Sequence, residues 1–528
     1  MIDQGNIKQE IDSLKKNFKS DISAGFFVFL LALPLSLGIA KASGFPASMG
    51  VLTAIIGGVF TLFFRVSELS IKGPAAGLIT ISAAAVTEFG GNQFAWQTVC
   101  AIIVTMAVLQ IFLGFLKLGS LTDFFPHSAV HGMLAAIGII IMLKQFPVLL
   151  GVDPSLYTTK GPIEFLISIP MFLSNFSWHV AIIGIISLLL MFVVTRVKKS
   201  FLRKIPAPVV VLLVAIPMTL YWDFKHTEPE YTLVIIGDFW GSLGMNANFS
   251  AIGTFVFWKY VIMFLFVSSL ESLLTVKAID GLDPYNRKSD YNGDLIGQGA
   301  GNVLTSLLGG LPMISEVVRS SANVGFGAKT KWSNFFHGVF LLLAMIFLIP
   351  FIELIPNSAL AAMLIYAGFR LAAPKEFIHI YRVGREQLVF FIVTILVTLL
   401  EDLLLGVLAG IVTKFIFHFA SGVSFSNFFR ANLEIEETET VYTIKIKGAA
   451  VFSNLIGFKK QVNSIPEEKN ILFDFSQATF VDHSFMSFIS QFQSKRAALR
   501  STCQFLELDG LTAFSSHSLA SRKRKVHP

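Results

Sequence analysis

The first 422 residues alternate long apolar runs with short polar connections, the pattern of a chain that threads repeatedly through a bilayer, where about 20 apolar residues make one crossing. Full-length runs at 22–40, 46–64, 94–118, 125–150, 178–195 and 205–222 surround a shorter one at 74–88. A second series follows at 254–278, 292–309, 313–326, 333–353, 357–372, 386–401 and 403–422, and its third member is again short. Both short runs begin at a Gly/Pro break, Ile71-Lys72-Gly73-Pro74-Ala75-Ala76-Gly77 in one case and Gly309-Gly310-Leu311-Pro312-Met313-Ile314-Ser315-Glu316 in the other. Pro74 lies about 52 residues into the first series and Pro312 about 58 into the second, so the chain reads as an internal repeat with a broken third segment. Seven segments per repeat is an odd number. The two halves must therefore be inverted with respect to one another, and paired half-helices in inverted repeats aim backbone N–H groups and positive dipole ends at an anion.

Composition agrees with a polytopic α-helical membrane protein of 14 segments. The 528 residues are 54% hydrophobic and only 14% charged, where a soluble chain carries about a quarter charged, and the mean hydropathy is +0.69. In such a chain a net charge of +7 marks loops and does not suggest nucleic acid. With the N-terminus inside, the cytoplasmic loops hold Arg65, Lys72, Lys117, Arg196, Lys198, Lys199, Arg203, Lys204, Lys277, Arg287, Lys288, Lys329, Lys331, Arg370, Lys375, Arg382 and Arg385. The outer loops hold little beyond Lys41, Lys160 and Lys225. This asymmetry puts both termini in the cytoplasm. Cys100 and Cys503 offer no disulfide framework, and the polar N-terminus is followed by no cleavage site of a signal peptide.

The pattern changes after about Asn432. Val441-Tyr442-Thr443-Ile444-Lys445-Ile446 alternates as a strand, a helix follows near 453–464, then the apolar strand Ile471-Leu472-Phe473-Asp474-Phe475, a helix near 484–499 and the strand 503–508. Strands alternating with helices make a small α/β domain. The divisions are a cytoplasmic segment 1–21, a membrane domain 22–425 (repeat one 22–222, repeat two 254–422) and the α/β domain 432–528. The basic tail Arg522-Lys523-Arg524-Lys525 reads as a solvated end, with a lipid-headgroup contact as the alternative.

Several ordered motifs resemble the sulfate permease (SulP) family of anion transporters over nearly the whole chain. They are Leu31-Ala32-Leu33-Pro34-Leu35-Ser36, Lys72-Gly73-Pro74-Ala75-Ala76, Glu271-Ser272-Leu273-Leu274-Thr275, Leu295-Ile296-Gly297-Gln298-Gly299-Ala300-Gly301-Asn302, Arg319-Ser320-Ser321-Ala322-Asn323 and Gly327-Ala328-Lys329-Thr330. The tail, with Phe480-Val481-Asp482-His483-Ser484, resembles that family's cytoplasmic STAS domain. The resemblance implies a core domain of segments 1–4 and 8–11 moving against a gate domain of segments 5–7 and 12–14, with the anion between the half-helices. It also implies a homodimer and a bacterial inner-membrane location, and it leaves room for a cytoplasmic regulator acting through the STAS-like domain.

The candidate anion ligands are Ser315, the backbone N–H groups of Ile314 and Ser315, and those of Ala75, Ala76 and Gly77 opposite; close helix packing is the competing use of such small residues. Arg319 matches a basic position that the family places beside the anion. Glu271 sits mid-span, where a carboxylate costs at least a few kcal/mol unless it is paired, protonated or facing water, and Thr275 shares its helix face. The resemblance assigns Glu271 to the coupling-ion site, with sodium or a proton both open, against a purely structural helix tie. Glu316, three residues before Arg319, departs from the family's small residue, repels an anion unless protonated or cation-bound, and joins the coupling-ion candidates.

Other signals carry less. His127 and His131 have ligand spacing without a third ligand, and Asp280, Asp283, Asp290 and Asp294 fail the calcium-loop pattern. In soluble relatives of the STAS domain a phosphorylatable serine follows the loop aspartate; here that residue is His483, with Ser484 a poor substitute. No nucleophile, metal cluster or phosphate loop points to an enzyme. The chain therefore reads as a secondary active transporter of a small inorganic anion of the sulfate or bicarbonate class, coupled to sodium or protons. A passive channel or exchanger of the same fold, a dicarboxylate symporter and a membrane sensor are the alternatives. One basic group beside one carboxylate favours bicarbonate over a dianion.

Overall fold

The computed structural model describes residues 4–528 apart from 92, 120–125, 158–159, 197–204, 286, 402, 439–440, 463, 467–468, 499–500 and 525–528. Lys198, Lys199, Arg203, Lys204 and Lys525, counted above as loop or tail charges, lie outside the described residues.

Each full-length apolar run in the first 422 residues contains a helix. The first series comprises α1 (Gln4–Ala42), α2 (Ala47–Val59), α3 (Ile79–Glu88), α4 (Gln93–Phe115), α5 (His127–Leu149), α6 (Trp178–Val194) and α7 (Ala207–Tyr221). The second comprises α8 (Phe255–Asp280), α9 (Tyr291–Leu307), α10 (Val317–Gly325), α11 (Trp332–Phe347) and α12 (Asn357–Leu371), followed by a polar helix α13 (Pro374–Val383), then α14 (Arg385–Leu400) and α15 (Leu403–Ala420). Residues 12–42 of α1, 94–115 of α4, and the whole of α5, α8 and α15 are long and apolar enough to cross a membrane by themselves. The helix α1 continues without a break from Gln4, before residue 22, into the first span.

The two broken runs differ from the expectation of helix alone. Each enters through a three-residue strand, β1 (Lys72–Pro74) before α3 and β2 (Met313–Ser315) before α10. These strands pair antiparallel, with Lys72 opposite Ser315, Gly73 opposite Ile314 and Pro74 opposite Met313. Proline has no N–H to donate to a ladder, so the ribbon stops at Pro74, where β1 turns toward α3; antiparallel β2 leaves at the other end, from Ser315 through Glu316 into α10.

By its internal contacts the chain divides into one unit of residues 1–119 with 137–371 and a second of 120–136 with 372–528. In the first, α4 packs along α9, α1 along α11, and α2 against both α1 and α11. Small residues allow this closeness: a Cβ on Gly299 of α9 would stand 2.9 Å from the Ala107 carbonyl oxygen of α4. In a membrane, where water does not drive helices together, backbone proximity of this kind is what packs them.

The second unit contains α14, α15 and the C-terminal α/β domain. One sheet has the order β3 (Leu433–Glu437), β4 (Val441–Ile446), β6 (Asn470–Asp474), β8 (Cys503–Leu506); the other has β5 (Gly448–Ala450), β7 (Ala478–Val481), β10 (Arg522–Arg524), β9 (Leu511–Ala513). The helices α16 (Leu455–Val462) and α17 (His483–Ala498) cover them, and Ile444, Ile446, Phe473, Phe475, Phe485 and Ile489 form the core. The basic tail is not a solvated end: Arg522 to Arg524 form β10, antiparallel to β7 and β9. Arg524 donates to the carbonyl oxygens of Phe475 and Ala478 at 2.7 and 2.9 Å. Long arginine stems lie over apolar surface while their heads stay polar, which a reading of net charge misses.

Candidate functional site

The β1–β2 ribbon is held on both sides by side chains from four helices. Asn302 of α9 accepts from the Met313 amide at 2.6 Å and, with Gln298, donates to the Met313 carbonyl at 3.1 and 3.0 Å. Ser272 of α8 accepts from the Ser315 amide at 3.0 Å, Asn334 of α11 accepts from the Lys72 amide at 3.2 Å, and Ser320 of α10 accepts from the Ile71 amide at 2.8 Å. A non-helical backbone at membrane depth is tolerated only when its polar groups are met in this way. Gln298 and Asn302 thus have a structural duty that their sequence motif alone does not disclose.

Lys72 does not lie in a loop. It is fully buried, its Nζ stands 2.7 Å from both carboxylate oxygens of buried Asp294, and it donates to Ser315 Oγ at 2.5 Å. The Ser315 hydroxyl and amide, both anion candidates from the sequence, therefore already have partners inside the protein. Ile314 sits in the ribbon opposite Gly73. The other aspartates of that region are likewise engaged: Asp290 caps α9, Asp283 pairs with Arg287 at 2.7 Å, and Asp280 accepts from Ser289.

The two half-helices end differently at the ribbon. Glu316 is the N-cap of α10, its Oε2 accepting from the amides of Val318 and Arg319 at 3.1 and 3.0 Å. That carboxylate occupies the positive end of its own helix. It makes no ion pair with Arg319 within 4.0 Å among the described residues, although the two stand three positions apart. The opposite helix start is open. Ala75 is extended, Ala76–Leu78 form one tight turn leading into α3, and no side chain caps them.

Glu271 of α8 faces that open start. A Cβ on Gly77 would fall 2.3 and 2.4 Å from its two carboxylate oxygens, so glycine is what lets the carboxylate approach the backbone there. Glu271 Oε2 is buried with no hydrogen-bond partner, and Thr275 is buried one turn further along. Arg319 lies across the ribbon: its side chain has 0% exposure, its Nη1 would meet a Cβ on Gly73 at 2.4 Å, and Nε, Nη1 and Nη2 all lack a partner among the described residues. Both ring nitrogens of buried His337 on α11 also lack one. An unpaired buried guanidinium is costly, and such groups ordinarily coordinate something.

Of the sequence candidates, Ala75, Ala76, Gly77, Glu271 and Arg319 thus surround the ribbon with unmet polar groups, whereas Ser315 and Glu316 have protein partners. His337 and the Lys72–Asp294 pair were not singled out from the sequence. The pair left little signal in the sequence, because Asp294 ends the polar stretch that begins at Asp283 and Lys72 stands beside a Gly/Pro break.

A second buried cluster lies in the other unit. Lys414 of α15 stands 3.0 Å from Asp482 Oδ2, donates to Ser484 Oγ at 3.1 Å, and lies 4.7 Å from the Phe452 ring centroid. His418 Nε2 is 3.8 Å from the same carboxylate. Asp482 also accepts from the amides of Phe452 and Phe485 at 2.9 and 2.8 Å. Burial pushes the Asp482 carboxyl up, but Lys414, His418 and the Phe485 amide outweigh it and hold the group below its ordinary value.

A family model described as the sulfate permease family matches residues 18–394. Sulfate transporter 4.1, chloroplastic, of Arabidopsis thaliana is 28% identical over 389 residues, 71% of this chain and 55% of that protein. Bicarbonate transporter BicA of Picosynechococcus sp. is 25% identical over 363 residues, 67% of this chain and 62% of that protein. Each match therefore spans less than two thirds of the relative's length. Among solved structures, the transmembrane domain of a cyanobacterium bicarbonate transporter BicA superposes with a TM-score of 0.65 at 21% identity, covering 75% of this chain and 97% of that one. Murine Solute Carrier 26 family member A9, an anion transporter in the inward-facing state, gives 0.66 at 15% identity, covering 92% and 85%. At these identities the structures speak to the fold.

Proposed function

From the premise that the chain belongs to the sulfate permease family, we propose that it moves a small inorganic anion across the membrane by secondary active transport. The observation that carries this reading is the pairing, across one ribbon, of an uncapped half-helix start at Ala75–Gly77 with the unpartnered guanidinium of Arg319. The first amides of a helix have no intrahelical acceptor, and together with a fixed cation they make a dry anion site. The anion is bound by Ala75, Ala76 and Gly77 from one side and Arg319 from the other, with Ile314 and Ser315 shaping the ribbon between.

Glu271 is the coupling group. Its unpartnered carboxylate against Gly77 favours entry of a cation with the anion, either sodium shared with Thr275 or a proton. Glu316, spent on capping α10, offers less to such a cation than its sequence position promised. With Lys72 paired to Asp294, Arg319 is the unpaired cation at the ribbon and Glu271 and Glu316 stand nearby, so a monoanion such as bicarbonate is the better-matched substrate, and relatives named for sulfate and for bicarbonate keep both in the test. We further propose that both termini are cytoplasmic, that two copies assemble, and that the STAS-like domain serves assembly or regulation outside the permeation path.

Uptake of labelled bicarbonate, sulfate and a dicarboxylate into proteoliposomes, under imposed sodium or proton gradients, tests the reading. Accumulation of an inorganic anion that follows one cation gradient is expected. Equal uptake with no gradient dependence would instead favour the channel.

A further inference from the structure

A cavity of about 640 Å³ opens at the other end of the short helix α3. Val86 and Thr87, at the C-terminal end of α3, line it, so it lies roughly 15 Å along that helix from Gly77 at 1.5 Å per residue. The charged residues in its wall are all lysines: Lys41 at the end of α1, Lys144 near the end of α5, and Lys160 in the loop that follows. No carboxylate is among the described lining residues. The nearest loop carboxylates have other partners, Asp153 accepting from the Ser155 amide and hydroxyl at 2.8 and 2.6 Å and Glu228 lying 3.1 Å from His179, and neither pairs with a cavity lysine among the described residues. Lys41 donates to the Tyr231 carbonyl at 3.3 Å, while Lys144 and Lys160 make no ion pair among the described residues.

The wall also carries neutral donors. The helix α12 begins here with Asn357 and Ser358, and the fully buried Ser358 hydroxyl has no partner. Asn357 spends its amide on the carbonyls of Tyr231 and Leu233 at 2.8 and 2.5 Å. A helix start, an unmet hydroxyl and three lysines without a counter-charge therefore converge on one space. Clefts of one sign in low-dielectric walls concentrate counter-ions.

We propose that this cavity is a second anion site, a capture site for a small oxyanion that is distinct from the ribbon and feeds it. It rests on the transport reading only in its second half, the feeding. With the termini cytoplasmic, the ends of α1 and α5 place the cavity on the outer side, where substrate arrives. Three lysines suit either a monoanion or a dianion, so the site concentrates substrate and leaves selection to the ribbon.

Acetylation of the full-length protein with a neutral N-hydroxysuccinimidyl ester, read lysine by lysine by peptide mass spectrometry, tests the binding half. Sodium sulfate or sodium bicarbonate should slow modification of Lys144 and Lys160 at least about threefold relative to sodium gluconate of equal ionic strength, since general screening is the same in both. Lys225, outside the cavity, should be unaffected. The protection should persist in Arg319→Met, which is expected to lose transport. In proteoliposomes, Lys144→Gln with Lys160→Gln should raise the KM for the transported anion about tenfold with a much smaller change in kcat, as expected when a field concentrates substrate. Protection that is absent, that gluconate reproduces, or that vanishes in Arg319→Met overturns the separate site. An unchanged KM in the double variant overturns its role in feeding the ribbon. Protection in a protein that transports none of these anions would overturn the transport reading and leave the site standing.

Discussion

Lys72 and Asp294 form a fully buried ion pair at 2.7 Å that anchors β1 to α9. The same ammonium reaches Ser315 Oγ, so one charge ties both strands of the ribbon to the helix behind it, and Asp294 also accepts from the Ser67 amide at 3.1 Å. Breaking a buried pair leaves an uncompensated charge and costs about 3–5 kcal/mol, whereas replacing both partners by apolar groups is often close to neutral. Lys72→Ala should therefore lower the thermal midpoint of the purified protein sharply or prevent its recovery as a single species. Lys72→Met with Asp294→Leu should regain most of that loss. A double variant no better than the single one would mean that the pair's hydrogen bonds, and not its charge balance, hold the ribbon.

Arg319 presents the opposite case, a buried cation with no hydrogen-bond partner for its guanidinium among the described residues. Its removal breaks no internal hydrogen bond. Arg319→Met should consequently keep or raise the midpoint while abolishing anion uptake, the usual exchange of function for stability at a strained site. Wild-type protein should gain stability on adding the transported anion, by about 2.7 kcal/mol at a hundredfold excess over Kd, and the variant should gain little through the ribbon. A variant that loses stability and still transports would make Arg319 a structural residue.

Much of this architecture was legible because two periodicities dominate the sequence. The Gly/Pro breaks before Ala75 and before Glu316 interrupt otherwise continuous apolar runs, so they located the half-helices. The strand pairing of Gly73 with Ile314 was not visible, because three residues are too few for alternation to register and the partners stand 241 positions apart (314 less 73). Lys72 was read as a loop charge because loops are where most membrane-protein lysines sit; only the fold brings Asp294 to it. The fate of Glu316 depended on which way a carboxylate turns at a helix start, toward Arg319 or toward two amides, and spacing cannot decide that. Arg522–Arg524 misled in a similar manner, since a basic run at a chain end has no composition that distinguishes a strand from a solvated tail.

Glu271 and Gly77 form the second functional contact. Glu271→Gln keeps the shape and removes the charge, so accumulation against a gradient should fail while exchange down a gradient survives. Gly77→Ala places a methyl group 2.3 Å from the carboxylate oxygens, closer than any real contact. It should displace Glu271 and impair coupling by a comparable factor without touching the charge. Wild-type accumulation in either variant, measured in the same vesicles, would remove Glu271 from the coupling step.

His483 supplies a pH dependence outside the membrane helices. Burial pushes its imidazole down from 6.5 to about 4, against the opposing bond that Nδ1 makes with the Leu519 carbonyl at 2.8 Å. Lys414 and His517 nearby also disfavour a proton there, while Asp482 favours one. Between these two values the unfolded domain binds a proton that the folded domain excludes. Stability is therefore complete above about pH 6.5 and is lost as the pH falls toward 4, by about 3 kcal/mol from this group at 1.36 kcal/mol per unit. Asp482, held below its ordinary value, adds a further loss only at still lower pH, once its carboxylate protonates. Unfolding of the full-length protein, followed by amide exchange at Phe473 and Ile489 in the STAS-like core, should steepen across this window. His483→Gln should flatten the slope between pH 6.5 and 4 and leave the more acidic loss in place. If the slope is the same in both proteins, another group carries it and His483 takes up its proton in the folded domain as readily as in the unfolded chain.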